Sequence, residues 1–197
     1  MTPDIWDVPF VRSAYYFPTQ HEFAGYIYSG GAFAFSSACY KTEFIKKADP
    51  YAGKPFGKTD DVPFLVNTCA HGAAAVTVFP FIRSRCHPGQ DSYNYATGPT
   101  ATQWFNLSLF FKKFLDQPAF PRLRWLFKLQ NYRHIRMGWR DWCKCEYTRM
   151  NFHQFCQQAM ACGALNKKNI WIGRMVRGKL NRWLQRVICQ FKQISCE

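Results

Sequence analysis

Acidic residues are scarce in the second half of this 197-residue chain. Residues 101–197 hold only Asp116, Asp141, Glu146 and Glu197 against 18 Lys and Arg, whereas residues 1–100 carry eight of each sign. The whole net charge of +14 therefore sits in the second half, where nine bases separate Glu146 from Glu197. A surface built only for solubility mixes its signs. A one-signed surface repels itself until a polyanion lies on it.

Other absences narrow the class. Two stretches, 24–40 and 62–82, lack Lys, Arg, Asp and Glu, but neither is a clean run of about twenty apolar residues. Ser and Gly interrupt the first; Pro63, Asn67, His71 and Pro80 interrupt the second. Met1–Arg12 contains Asp4 and Asp7 and no apolar core behind a basic start, so no secretory signal is expected. The reading is an intracellular protein, cytoplasmic or nuclear. Nine cysteines, an odd number, then suit reduced thiols better than a disulfide framework. No glycine-rich phosphate loop, internal repeat or low-complexity segment is present.

Aromatic residues, by contrast, are abundant: 19 Phe, 10 Tyr and 7 Trp exceed what one core of this size needs, so some rings are expected to face a partner. A hydrophobic content of 48% with 19% charged residues fits a folded chain.

The composition changes near Tyr95–Thr100. Before it, residues rich in Val, Phe and Tyr predict strands over 8–17, 23–28, 32–38, 41–45, 64–68 and 74–79, with a hairpin turn at Ser29-Gly30-Gly31 and a loop over 47–57. After it, Thr100 with Gln103 forms a capping-box pattern ahead of Trp104, Leu107, Phe111, Phe114 and Leu115, which predicts a helix stopped by Pro118. Arg122–Gln130 alternates basic and apolar residues apart from Leu126, a strand pattern, and 132–137 and 142–148 continue it as a meander. Asn151 caps a helix from Phe152 to Cys162 ended by Gly163. Arg174–Lys192 reads as a basic amphipathic helix. The expected fold class is α+β: a β-rich, charge-neutral region 1–100 and a mixed, helix-containing basic region 101–197, in one continuous domain or two lobes.

Phosphates attract cations, Arg adds forked hydrogen bonding, and unpaired bases stack on aromatic faces. Two groups of residues fit that chemistry. Arg122, Arg124, Lys128, Arg133, Arg136 and Arg140 lie near Trp125, Tyr132, Trp139 and Trp142; Lys167, Lys168, Arg174, Arg177, Arg182 and Arg186 form the second group. The expected function is non-catalytic binding of DNA or RNA by the basic half, as in an accessory or regulatory protein of a virus or mobile element.

Two alternatives stand beside it. A small metal-dependent nuclease would use Glu43, Asp49, Asp60 and Asp61 with Lys46, Lys47, Lys54 and Lys58. An adaptor would present the basic helix to an anionic membrane surface or an acidic protein. Zinc is the one cofactor weighed: Cys143, Cys145, His153 and Cys156 supply four soft ligands, and Cys69, His71, Cys86 and His87 another four, though both sets depart from the usual spacings. Buried free cysteines and a scattered His are the simpler reading of either set. Cys69 or Cys86 beside a His makes only a weak nucleophile pattern.

Overall fold

A computed structural model describes residues 13–30, 41–47, 55–77, 100–145, 150–176 and 193–195. Helix dominates them. Seven α-helices, α1 (Gln20–Tyr28), α2 (Thr42–Lys47), α3 (Asp61–Thr68), α4 (Ala101–Leu115), α5 (Pro121–Cys145), α6 (Phe152–Ala161) and α7 (Lys167–Met175), accompany one small sheet among the described residues. In that sheet β1 (Ser13–Phe17) lies between β2 (Ala74–Thr77) and β3 (Gln193–Ser195), antiparallel to both.

The expectation of a β-rich first half is therefore corrected. Among the described residues of that half only Ser13–Phe17 and Ala74–Thr77 form strands, while three of the predicted strands are helical: 23–28 lies in α1, 41–45 overlaps α2 and 64–68 lies in α3. The periodicity explains α1. Phe23, Ala24, Ile27 and Tyr28 are buried, a spacing that belongs to one face of a helix. The start is marked too, since Thr19 Oγ1 accepts from the Glu22 amide at 3.3 Å and donates to its carboxylate at 3.1 Å. In α3, Pro63 occupies the first turn, where a missing amide costs nothing, and Leu65 and Val66 turn inward. Residues 8–12, 32–38 and 78–79 lie outside the described residues.

The second correction concerns the basic half. The predicted strand at Arg122–Gln130 and its meander are one helix, α5, as far as Cys145. At about 1.5 Å per residue it is roughly 37 Å long. Pro121 begins it, where its fixed φ is already helical. Leu126, which broke the strand alternation, is fully buried, and Leu126, Phe127, Gln130, Asn131, Ile135 and Trp142 face inward at spacings of three, four and seven.

The two predicted caps are found in place: Thr100 with Gln103 and Asn151 with Gln154 each exchange both capping bonds. Cys162 and Gly163, the latter at φ +78°, end α6. The predicted helix over 174–192 is met only at its start. Arg174 and Met175 belong to α7, which stops where Val176 turns to ψ 85°, and residues 177–192 lie outside the described set.

Two apolar clusters hold these elements. The first gathers Phe17, Phe23, Ile27, Tyr28, Leu65 and Val66 around Phe111, Phe114, Leu126 and Phe127, so side chains from both halves of the chain meet in it. The second joins Phe105, Ile135, Trp142, Phe155 and Leu165 between α4, α5 and α6. The α6–α7 turn is fixed by polar groups from α4 and α5. The Ala164 carbonyl accepts from Ser108 Oγ and Asn131 Nδ2, each at 3.0 Å, and the Gly163 carbonyl accepts from Lys112 Nζ at 3.1 Å. That clamp sets the direction in which α7 departs.

Candidate nucleic-acid interface

Helix α7 lies against α5, and the approach is close because Gly173 has no side chain: a Cβ there would stand 2.6 Å from Cβ of Tyr132. Asn166 caps α7, its side chain accepting from the Asn169 amide at 2.8 Å. Asn169 is buried, Ile170, Ile172 and Gly173 are partly covered, and Lys167, Lys168, Trp171, Arg174 and Met175 are exposed. At 100° per residue these five share the outward side of the helix. Trp171 and Met175 are 64% and 62% exposed, a large apolar area set among three cations.

On α5, Lys128 and Arg136 stand one turn before and one turn after Tyr132 on the same row, and so flank the place where α7 crosses. Arg122, Arg133, Arg136 and Arg140 are exposed and fall on one side of the helix, with Trp125 beside them at 56% exposed. The Lys128 ammonium lies 5.6 Å from the Trp125 ring centroid, within cation–π reach. No acid occurs in α7, and Asp141 is the only acid of α5. The basic row of α5 and the exposed cations of α7 thus stand on neighbouring helices that cross at Tyr132 and Gly173.

The remaining residues of the sequence-predicted site are placed differently. Arg124 is held by Asp116, Nε to Oδ1 at 3.1 Å, at the start of α5. Trp139 is half-buried against Phe152, with its Nε1 donating to the Met150 carbonyl at 3.5 Å, and Trp142 is buried beside Phe155. Arg177, Arg182 and Arg186 lie outside the described residues. Trp171 was not among the predicted site rings. Its signal was the spacing Lys167, Lys168, Trp171, Arg174, which puts a ring between cations on one face of a helix.

The zinc sets do not gain support from geometry. In a strand Cys143 and Cys145 would share a face, but the segment is the end of helix α5. Cys156 is buried in the second cluster, with Cys143 packed against it, whereas His153 is exposed and bonded to Gln157 at 3.1 Å. Burial pushes the Cys156 thiol up to about 11, with the nearby Arg174 charge pulling the other way. The other set shows Cys69 half-buried, its thiol also raised by burial to about 11, and His71 exposed; Cys86 and His87 lie outside the described residues. Such thiols are almost wholly protonated near neutral pH and are poor nucleophiles.

For the nuclease alternative, Asp60 and Asp61 stand at the start of α3. Burial raises Asp60, with the neighbouring Asp61 adding to it; burial also raises Asp61, opposed by the Val62 amide that its Oδ1 accepts at 2.9 Å. Asp49 and Lys54 lie outside the described residues. Among the described residues no three of His, Cys, Asp and Glu come together to hold a metal ion, and no helix is long and apolar enough to cross a membrane. Comparison with known proteins finds no matching family, no similar curated protein and no similar solved structure.

Proposed function

We propose that the protein binds nucleic acid without catalysis, through the surface formed by the basic row of α5 and the outward side of α7. The observation that carries this reading is the pairing of exposed cations with exposed indoles: Trp125 lies among Arg122 and the α5 row, with the half-buried Lys128 beside its ring, and Trp171 among Lys167, Lys168 and Arg174. Cations alone would suit any polyanion. Indoles left in water beside them suit a ligand that carries flat aromatic groups as well as phosphates.

The test is an electrophoretic shift series at several salt concentrations with DNA and RNA probes. Each phosphate neutralised contributes a slope of roughly −0.7 to −0.9 in log K against log salt. Replacing Arg133, Arg136 and Arg140 together by Ala should flatten the slope by about two to three and weaken every probe alike. Undiminished binding by that variant would remove the α5 row from the interface.

A further inference from the structure

We infer that this surface prefers single-stranded nucleic acid, with Trp125 and Trp171 as platforms for unpaired bases; the inference rests on the nucleic-acid reading above and adds the class of strand. The two indoles have the same surroundings. Trp125 has Arg122 one turn before it and Lys128 one turn after it, with the Lys128 ammonium 5.6 Å from the ring centroid. Trp171 has Lys167 and Lys168 one turn before it and Arg174 one turn after it. Each ring thus stands where a base can stack while the phosphate of the same nucleotide reaches a cation on the adjoining turn.

A duplex makes no use of this arrangement. Its base faces are stacked on one another and its outer surface is phosphate and sugar, so an indole more than half exposed gains no partner from it. Among the described residues neither ring packs into an apolar cluster: both project from helices whose opposite sides are packed, α5 on the two apolar clusters and α7 on α5. A membrane surface fits less well, because an interfacial helix presents an unbroken apolar face with cations at its margins. On α5 the exposed residues of that side are Arg122, Trp125, Arg133, Arg136 and Arg140, four cations to one ring, with the buried Leu129 between Trp125 and Arg133 and the exposed Met137 at the margin, so no unbroken apolar face is presented.

The experiment uses the full chain and probes of about 15 nucleotides, within the range of roughly 4–16 that one small domain covers: single-stranded DNA, single-stranded RNA and the matched duplex. Indole emission is followed alongside affinity, and anionic phosphatidylserine vesicles form a fourth arm. The single strands should bind more tightly than the duplex and quench the emission. Trp125→Ala with Trp171→Ala should lower single-strand affinity by roughly five- to 150-fold per ring, leave duplex affinity and the salt slope unchanged, and lose most of the quenching. Trp125→Phe with Trp171→Phe should keep most of the affinity, whereas Trp125→Leu with Trp171→Leu, apolar but with no face to stack on, should lose it as the alanine pair does; undiminished single-strand affinity in the leucine pair overturns the inference if the alanine pair fails to fold. A preference between the DNA and RNA arms identifies the sugar.

Duplex bound as tightly as single strand, or an alanine pair with undiminished single-strand affinity, would overturn this inference and leave the nucleic-acid reading standing. Binding to no oligonucleotide, with or without retention on the vesicles, would overturn both.

Discussion

Gly173→Ala tests whether α7 is held in place by its close approach to α5. A Cβ at position 173 would lie 2.6 Å from Cβ, 2.9 Å from Cδ1 and 3.0 Å from Cγ of Tyr132. Tyr132 Cβ is bonded to the α5 backbone, so no rotamer change moves it away. The helices themselves must separate, by about 1 Å if ordinary van der Waals contact of roughly 3.5–4 Å is to be restored. Forcing such a methyl into a packed contact costs about 1–3 kcal/mol. Against this, alanine is better than glycine inside a helix by about 1 kcal/mol. The net expectation is a loss of up to about 2 kcal/mol, and a deficit of about 1–3 kcal/mol against an alanine that meets no such contact.

Gly25→Ala is the matched control. Its Cβ would also meet an atom at 2.6 Å, but that atom is Cδ2 of Leu123, the end of a flexible side chain. Leu123 can turn aside, and the helix-propensity gain should leave stability unchanged or slightly raised. Thermal unfolding followed by circular dichroism distinguishes the two. Gly173→Ala should melt up to about 8 °C below the parent and about 2–12 °C below Gly25→Ala, at roughly 2–4 °C per kcal/mol for a chain of this size. It should also bind oligonucleotides more weakly, because α7 no longer crosses α5 as before. A Gly173→Ala protein that melts as high as Gly25→Ala would refute the argument, since it would mean that α7 does not rest on Tyr132.

His134 predicts a loss of stability in acid. Its Nε2 donates to the Tyr28 carbonyl at 2.8 Å and its ring stacks on Tyr28 at 4.0 Å; burial, aided by the adjacent Arg133 charge and opposed by the Tyr28 hydrogen bond, lowers it to about 4. The unfolded chain takes up the proton first, near pH 6.5, so stability should fall as pH drops from there through about 4, by roughly 3 kcal/mol in all at 1.36 kcal/mol per unit. Urea midpoints across that range should show the decline, and His134→Phe should flatten it; an equal slope in both proteins would place the titration elsewhere. Asn131→Ala removes one of the two donors to the Ala164 carbonyl and opens a hole beside α6, and should cost about 2–4 kcal/mol by urea unfolding. Ser108→Ala removes the other donor with little volume and should cost about 1 kcal/mol; equal losses for the two would discount the cavity.

Where side chains bond their own backbone, local structure was legible from the sequence. Thr100 with Gln103, and Asn151 as a cap, announce α4 and α6 because a cap is a short-range object, complete within four residues; at Asn151 the structure adds the reciprocal bond from Gln154. The strands of the first half were misread for the opposite reason. Phe23–Tyr28 and Phe64–Thr68 are rich in residues that favour strands when half-buried, but here each segment presents one helical face to α4, α5 or the first cluster, and tertiary packing outweighs a propensity worth about 1 kcal/mol over its whole scale. Thr19 with Glu22 was the cue passed over. In α5, the alternation from Arg122 to Gln130 and the helical row through Leu126, Phe127, Gln130 and Asn131 compete within the same few residues, and only the burial of Leu126 decides between them.

The candidate surface divides along the same line. Its charge is a sum over residue types and needs no coordinates: with so few acids after residue 100, most cations there must stay exposed wherever the helices run. The rings obey no such sum. Trp125, Trp139 and Trp142 lie on one helix within eighteen residues of sequence, yet the first is 56% exposed, the second half-buried and the third 4% exposed. What separates them is which neighbour covers each face: α6 with Phe152 and Phe155 covers the end of α5 where Trp139 and Trp142 stand. Trp171 is exposed because the inward side of α7 is already committed to α5 through Gly173, which turns Lys167, Trp171, Arg174 and Met175 outward together. A glycine that no charge count would notice therefore sets which aromatic ring stands among the cations, and the proposed interface depends on that contact as much as on its arginines.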